Sequence, residues 1–201
     1  CFKRLRHSKQ VLQEHKTGDS CSINPELLIE DLARVLTSKT MLERIKKSVV
    51  MPLAGLRIVS YYGCQVVRHP KITGYEEYEN PTHLDLLADA LGAVAVDWSF
   101  KTVCCGAGLA IPRKQMGLHL IKRLLIQAHA SGAQAILACC PLCQTNLDLY
   151  QRELCRQNGW DFNSWGIPVL YYTELLSFAL GDESVLQGLK GHIVDPVPLL
   201  E

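Results

Sequence analysis

The sequence lacks a surplus of charge, a long apolar run and a secretory leader. Its 21 Lys and Arg residues balance 20 Asp and Glu residues, which argues against nucleic acid or a charged membrane surface as a partner. No run approaches the roughly 18–20 apolar residues that cross a bilayer, and no charged segment followed by an apolar stretch opens the chain. We therefore expect a cytoplasmic protein, or one that is peripheral to the membrane through its partners.

The length and composition are those of a folded chain. At 201 residues and 48% hydrophobic content, the sequence predicts one large domain, or one domain and part of another. The first residue is Cys1 rather than a methionine, so we expect the sequence to be part of a longer protein.

Cysteine is unusually abundant, with nine residues in the chain. An odd number of cysteines without a secretion signal argues against a disulfide framework. Metal ligation or thiol chemistry in a reducing compartment is the better interpretation. The nine are Cys1, Cys21, Cys64, Cys104, Cys105, Cys139, Cys140, Cys143 and Cys155.

Beyond residue 55 the apolar pattern predicts alternating strands and helices, which indicates an α/β fold with a parallel sheet and helical crossovers. A long loop is expected between the first strand and the first helix, with Asn80 as the cap of that helix. The predicted strands are 56–62, 93–98, 135–139 and 167–172, and the predicted helices are 82–91, 115–131, 144–157 and 173–180.

The first 50 residues favour helices only. The pattern predicts helices over 2–15 and 41–48, and a helix that starts at Asn24 and Pro25 between them. Arg6 is expected on a solvated helix face, as are Arg4, Lys46 and Lys47. The apolar stripe of the middle helix is formed by Leu28, Leu32, Val35 and Leu36.

A weak internal repeat links the two regions. Cys1, Leu5 and Leu12 align at a constant offset of 142 with Cys143, Leu147 and Leu154, and residues 30–32 resemble 173–175. Either the short matches are chance, or residues 1–50 are the helical end of an earlier copy of the domain at 51–183. Residues 184–201 would then be a tail without a recognisable motif.

Three groups of cysteines follow three predicted strands. Cys64 follows the first strand, Cys104 and Cys105 follow the second, and Cys140 and Cys143 follow the third, directly before a helix. The carboxyl ends of parallel strands lie along one edge of a sheet, where open α/β folds bind ligands. The sequence therefore predicts that these five thiols converge.

The residues around these cysteines suit an anionic, sulfur-ligated centre. Cys143 is expected at a helix N-terminus, which lowers the pKa of a thiol. Gly106 and Gly108 let the backbone approach closely and offer N–H groups to sulfides. Five thiols are one more than a tetrahedral zinc or an ordinary cubane cluster uses, which implies an atypical iron–sulfur cluster or a spare catalytic thiol.

Simpler interpretations exist for each part. Cys140 and Cys143 could be a metal-free dithiol, and a structural zinc site remains an alternative. Cys139 is expected to be a buried small residue, and Cys21 and Cys155 to be structural. Histidines expected to be exposed or ordinarily hydrogen-bonded are His83, His119 and His129.

The cysteine spacing resembles that of the cysteine-rich CCG domain, and the similarity runs over about 52–181. The segments that flank the cysteines resemble those of the B subunit of heterodisulfide reductase in particular. These segments are 61–65, 79–82, 101–106 and 140–147.

This resemblance implies two tandem CCG domains, each with a non-cubane [4Fe-4S] cluster held by five cysteines. Here the ligands, which are also the catalytic groups, would be Cys64, Cys104, Cys105, Cys140 and Cys143. Cys1 would belong to the first domain, so we expect this chain to assemble one cluster and not to be fully active alone.

The resemblance also implies an oxidoreductase subunit that reduces a disulfide or relays electrons. Flavin-containing and ferredoxin-like subunits would be its redox partners, and a disulfide or thiol its substrate. An atypical succinate dehydrogenase or fumarate reductase is the alternative complex, since the family includes such subunits.

Overall fold

A computed structural model describes residues 2–14, 24 and 26–201. The described residues form a four-stranded sheet in the order β2-β1-β3-β4, with all neighbouring strands parallel. The predicted α/β class is therefore confirmed. The strands are β1 (Arg57–Tyr61), β2 (Val94–Ala95), β3 (Ala135–Ala138) and β4 (Val169–Tyr171).

Helices precede, connect and follow the strands, and a 3₁₀ turn covers Ala107–Leu109. The helices are α1 (Phe2–Glu14), α2 (Leu32–Leu36), α3 (Lys39–Ser48), α4 (Gly63–Val67), α5 (Pro70–Thr73), α6 (His83–Ala90), α7 (Lys114–Ala130), α8 (Pro141–Leu149), α9 (Gln151–Asn158), α10 (Phe162–Trp165), α11 (Tyr172–Ala179), α12 (Val185–Leu189) and α13 (Val197–Leu200).

Helices cover both faces of the sheet. In β1, Ile58 packs into a core shared with α3, α6 and α11, whereas Val59 packs into a second core shared with α7 and α8. Strands buried on both faces are continuously apolar rather than alternating, as β3 shows with four fully buried residues. This covering leaves the ends of the strands as the accessible parts of the sheet.

The strand order changes direction at β1. From β1 the chain crosses to β2 on one side, and β3 pairs with β1 on the other, with Tyr61 opposite Ala138. Ligands of open α/β sheets bind outside the carboxyl ends at such a point, because the two connections diverge there and leave a crevice.

Three predicted elements differ in extent. Strand β2 is only two residues long, because the chain turns away so that the Trp98 indole donates to the Ser60 carbonyl. The expected loop before α6 contains the short helices α4 and α5, and Thr82 rather than Asn80 precedes α6. The helix expected over 144–157 begins earlier, at Pro141, and is divided into α8 and α9.

The prediction of a helix that starts at Asn24 is wrong. The Asn24 side chain accepts the N–H of Glu26 in a turn, and α2 begins only after Asp31. The Asp31 carboxylate accepts the Ala33 N–H and the Tyr75 hydroxyl, so this buried contact sets where the helix starts. Of the expected apolar stripe, Leu28, Leu32 and Val35 are exposed and Leu36 is half-buried.

Arg6 is also not on a solvated face. Its guanidinium donates to the Thr73 carbonyl at 2.6 Å and lies 3.5 Å from the Glu30 carboxylate. The contact fastens α1 to the carboxyl end of α5. Predictions that concern His15, Cys1, Cys21 and Pro25 lie outside the described residues.

Within the described residues, no helix combines the length and the apolar character that crossing a bilayer requires.

Candidate metal centre

The chain that carries Cys64 turns sharply at the end of β1. Gly63 has a φ of +65°, a conformation that glycine adopts without steric cost. The N–H groups of Tyr62 and Gly63 both donate to the Lys101 carbonyl, at 2.8 and 3.1 Å. These bonds hold the start of α4, and with it Cys64, against the loop that follows β2.

The loop after β2 bends at its two adjacent cysteines. The Tyr61 hydroxyl donates to the Val103 carbonyl at 2.6 Å, and Gly106 has a φ of +76°. The Cys104 Sγ accepts the Gly106 N–H at 3.3 Å. Because the loop is bent rather than extended, Cys104 and Cys105 can both lie at the same edge of the sheet.

The third group lies at the start of α8. Cys140 is the residue before the helix, Pro141 occupies its first turn, and Cys143 lies further into that turn. The backbone N–H groups of Cys143 and Leu142 help to lower the pKa of the Cys140 thiol. These are N–H groups that the helix itself leaves without a partner.

The five thiols lie near one another in pairs. Cys105 Sγ lies 3.5 Å from Cys143 Sγ. Cys143 also shifts the pKa of Cys140, and Cys104 that of Cys64, which indicates that these thiols are neighbours too. Cys105 and Cys143 are buried, whereas the other three are half-buried. The half-buried sulfurs therefore form the open side of the group.

The thiols differ in pKa because their surroundings differ. The hydrogen bond with Cys143 lowers the pKa of Cys140 to about 6 and that of Cys105 to about 7. The pKa of Cys143 is raised by the same two bonds and by burial. Burial raises the pKa of Cys64, and its neighbour Cys104 adds to the effect.

The packing at the candidate site requires a glycine at position 106 but not at position 108. Gly108 is exposed, and a Cβ added there would meet open space. A Cβ on Gly106 would lie 3.1 Å from the Gly117 Cα on α7, so Gly106 is the glycine whose small size the packing requires.

Sequence reasoning missed three residues that position the thiols. Gly63 leaves room for Cys143, since an added Cβ would lie 2.6 Å from its Sγ. Tyr61 holds the cysteine loop, and Asn146 donates to the Cys105 carbonyl at 2.9 Å. Spacing could have indicated Asn146, which lies three residues after Cys143 and so on the same face of α8.

The remaining described cysteines are buried. Cys139 lies in the core on the other face of the sheet from Cys105 and Cys143, and burial raises its pKa well above the usual value. Cys155 is buried in α9. The histidines behave as predicted: His83 bonds to Thr37, His129 bonds to the Trp165 carbonyl, and His119 is exposed.

The donor atoms at the strand ends are all sulfurs, which serve as ligands both in iron–sulfur clusters and in zinc sites. In the described part of the chain, no three His, Cys, Asp or Glu side chains are placed to hold one metal ion. The five thiols are distributed over three segments of the chain, and all seven described cysteines are free. The Gly106 N–H that donates to the Cys104 sulfur suits a thiolate ligand, whose charge it stabilises.

Known proteins are similar to this chain in sequence. Residues 58–148 match the cysteine-rich domain family CCG. The chain is 31% identical over 157 residues to the 8-methylmenaquinol:fumarate reductase membrane anchor subunit of Wolinella succinogenes, covering 78% of this chain and 54% of that protein. It is 30% identical over 160 residues to the B subunit of the ferredoxin/F(420)H(2)-dependent CoB-CoM heterodisulfide reductase of Methanosarcina acetivorans, covering 79% and 52%.

The B subunit of the ferredoxin:CoB-CoM heterodisulfide reductase of Methanosarcina mazei matches to the same extent, 30% over 160 residues with 79% and 52% covered. The chain thus spans about half the length of the curated relatives it matches. The resemblance predicted from the cysteine spacing is confirmed. The chain contains a CCG cysteine-rich domain and is homologous to the B subunit of heterodisulfide reductase at about 30% identity over most of its length.

Proposed function

We propose that this chain is an iron–sulfur component of a multi-subunit oxidoreductase. The observation that carries the proposal is the placement of five thiols after three strand ends, with Cys105 Sγ 3.5 Å from Cys143 Sγ, at the point where the strand order reverses. The homology to the B subunit of heterodisulfide reductase supports the same function.

The proposed cofactor is a non-cubane [4Fe-4S] cluster. Its ligands would be Cys64, Cys104, Cys105, Cys140 and Cys143. Five converging thiols support this choice over zinc or a cubane cluster, since each of those uses four protein ligands. A bound cluster would supply or accept electrons for the reaction.

The protein's own residues would provide rigidity on one side and access on the other. Cys105 and Cys143 are buried against α7 and the sheet. Cys64, Cys104 and Cys140 are half-buried, so a disulfide could approach only from their side. Reduction of that disulfide would break its S–S bond, consume two electrons and two protons, and release two thiols.

The electrons would come from partner subunits, and we propose flavin-containing and ferredoxin-like proteins for this role. A second candidate function is electron relay in a succinate dehydrogenase or fumarate reductase complex. The similarity to the Wolinella succinogenes protein favours it. We propose a cytoplasmic location, or attachment to the membrane through the partners, for either function.

We also propose that residues 1–50 are the end of a first CCG domain. Leu147 and Leu154 are buried in the second core, whereas their counterparts at the offset of 142, Leu5 and Leu12, are 59% and 43% exposed. In a longer protein, Leu5 and Leu12 would be buried in the core of a preceding domain.

The cofactor is tested by measuring iron, zinc and acid-labile sulfide in the anaerobically purified chain. We expect about four iron and four sulfide per chain. Cys104→Ser should lose most of the iron, while Cys155→Ser should keep it because Cys155 lies in α9. One zinc without sulfide, together with failed reconstitution, would instead establish a structural site.

The reaction is tested on the iron-loaded protein within its complex. Reduced protein should be reoxidised stoichiometrically by a disulfide if the first function holds. Reoxidation by fumarate or a quinone, with no response to disulfides, would establish the second candidate. A metal-free dithiol would differ from both, since Cys64→Ser would then leave disulfide exchange intact.

A further inference from the structure

Asn146 connects the two buried cysteines of the centre. It lies on α8, three residues after Cys143, and only 5% of it is exposed. Its Nδ2 donates to the Cys105 carbonyl at 2.9 Å. A buried amide with an N–H left unsatisfied is costly, so this contact is expected to persist.

The observed contact of the Asn146 amide is with the Cys105 carbonyl. The same amide also lowers the pKa of the Cys105 thiol, after the larger effect of Cys143, so it lies near that sulfur as well. An amide nitrogen carries two hydrogens, so one group can serve both acceptors. The Cys105 backbone is therefore held from α8, and the second amide hydrogen is available to the Cys105 sulfur.

We propose that Asn146 is a positioning residue that fixes Cys105 against α8 and donates a hydrogen bond to its ligand sulfur. The proposal rests on the proposed function, because it assigns Cys105 as a ligand of the iron–sulfur centre. A donor to a ligand sulfur stabilises the reduced, more negative state of a cluster. Asn146 therefore raises the reduction potential of the centre.

Two variants separate the hydrogen bond from packing. Asn146→Asp keeps the shape but loses the donor, and Asn146→Leu loses the donor without adding charge. Gln151→Glu is the matched control, because Gln151 is a buried amide on the next helix and bonds to the Ile167 backbone. The reduction potential is measured by a titration followed by electron paramagnetic resonance on the iron-loaded full chain.

A second measurement needs no cofactor. Amide hydrogen exchange of residues 100–109 is followed by mass spectrometry in the metal-free chain. Both Asn146 variants should exchange roughly tenfold faster than the wild type, since a buried hydrogen bond that holds the loop is lost. Gln151→Glu should leave exchange in this segment unchanged.

We expect lower potentials in both Asn146 variants and a wild-type potential in Gln151→Glu. Wild-type potentials in both Asn146 variants, or unchanged exchange in the loop, would overturn the proposal. A wild-type chain that binds no iron would overturn the proposed function instead. Hydrogen exchange would in that case still decide whether Asn146 holds Cys105.

Discussion

The packing around Gly63 leaves no room for a side chain at this position beside the thiols. An added Cβ would lie 2.6 Å from the Cys143 Sγ, and the residue has a φ of +65°. Both features follow from the sharp turn between β1 and α4. The spacing of the sulfurs is thus controlled by a residue that carries no functional group.

Gly63→Ala should therefore lower the free energy of unfolding of the metal-free chain by about 1–3 kcal/mol, through backbone strain and displacement of Cys143. Urea unfolding measures this change. The control is Gly108→Ala, where the added Cβ meets open space and a change within about 0.5 kcal/mol is expected. Equal effects of the two substitutions would contradict the crowding at Gly63.

At the scale of elements, α8 joins the centre to the carboxyl-terminal segment. The Asp148 carboxylate accepts the N–H groups of Ile193 and Val194 at 2.7 and 3.1 Å. His192 Nε2 lies 3.2 Å from the Glu174 carboxylate on α11. The segment 184–201, in which no motif was recognised, is therefore bound to the helix that carries Cys143.

The contact between His192 and Glu174 predicts a pH-dependent stability. The hydrogen bond with Glu174, aided by the charge of Asp148, raises the pKa of His192 above 6.5. A raised pKa means that the stabilisation is complete below pH 6.5 and is lost as the pH rises through the folded-state pKa. His192→Gln should therefore cost roughly 1–2 kcal/mol below pH 6.5 and less at higher pH.

Urea unfolding of the wild type and of His192→Gln at several pH values measures this dependence. His119→Gln is the control, because His119 is exposed on α7. A cost of His192→Gln that is constant with pH, or that increases with pH, would show that the ion pair does not contribute as described.

For the whole molecule, the apolar face of α1 is the feature that the CCG domain does not explain. Leu12 is 43% exposed, whereas its counterpart Leu154 is 2% exposed. In this chain Leu12→Ala should change the free energy of unfolding by no more than about 0.5 kcal/mol. Leu154→Ala should cost about 2–5 kcal/mol, because it leaves a cavity in the second core.

Urea unfolding distinguishes these costs. Equal losses for the two substitutions would mean that α1 packs its apolar face within this chain. That result would contradict the proposal of a first domain. If that domain exists, Leu12→Ala should become costly only in the longer protein, where the counterpart of the second core is complete.

Much of the fold was predictable because its signals are local. Strand β3 is a short apolar run that ends at Cys139, and α7 is a long segment that ends just before Gly132, so both were predicted within one residue at each end. The start of α2 was not predictable, because it depends on Asp31 meeting Tyr75 from a distant part of the chain. The division between α8 and α9 had no clear local signal either.

The amino-acid sequence is sufficient to assign the α/β class, the CCG resemblance and the strand ends that carry the cysteines, because strand order and spacing are properties of the chain. Which sulfurs touch became known from the folded arrangement, which places the Cys105 Sγ 3.5 Å from the Cys143 Sγ. The same arrangement revealed Tyr61, Gly63 and Asn146 as the residues around them. Asn146 could have been inferred from its spacing after Cys143, but the contacts of Tyr61 and Gly63 depend on where separate elements pack in space, which no local pattern encodes.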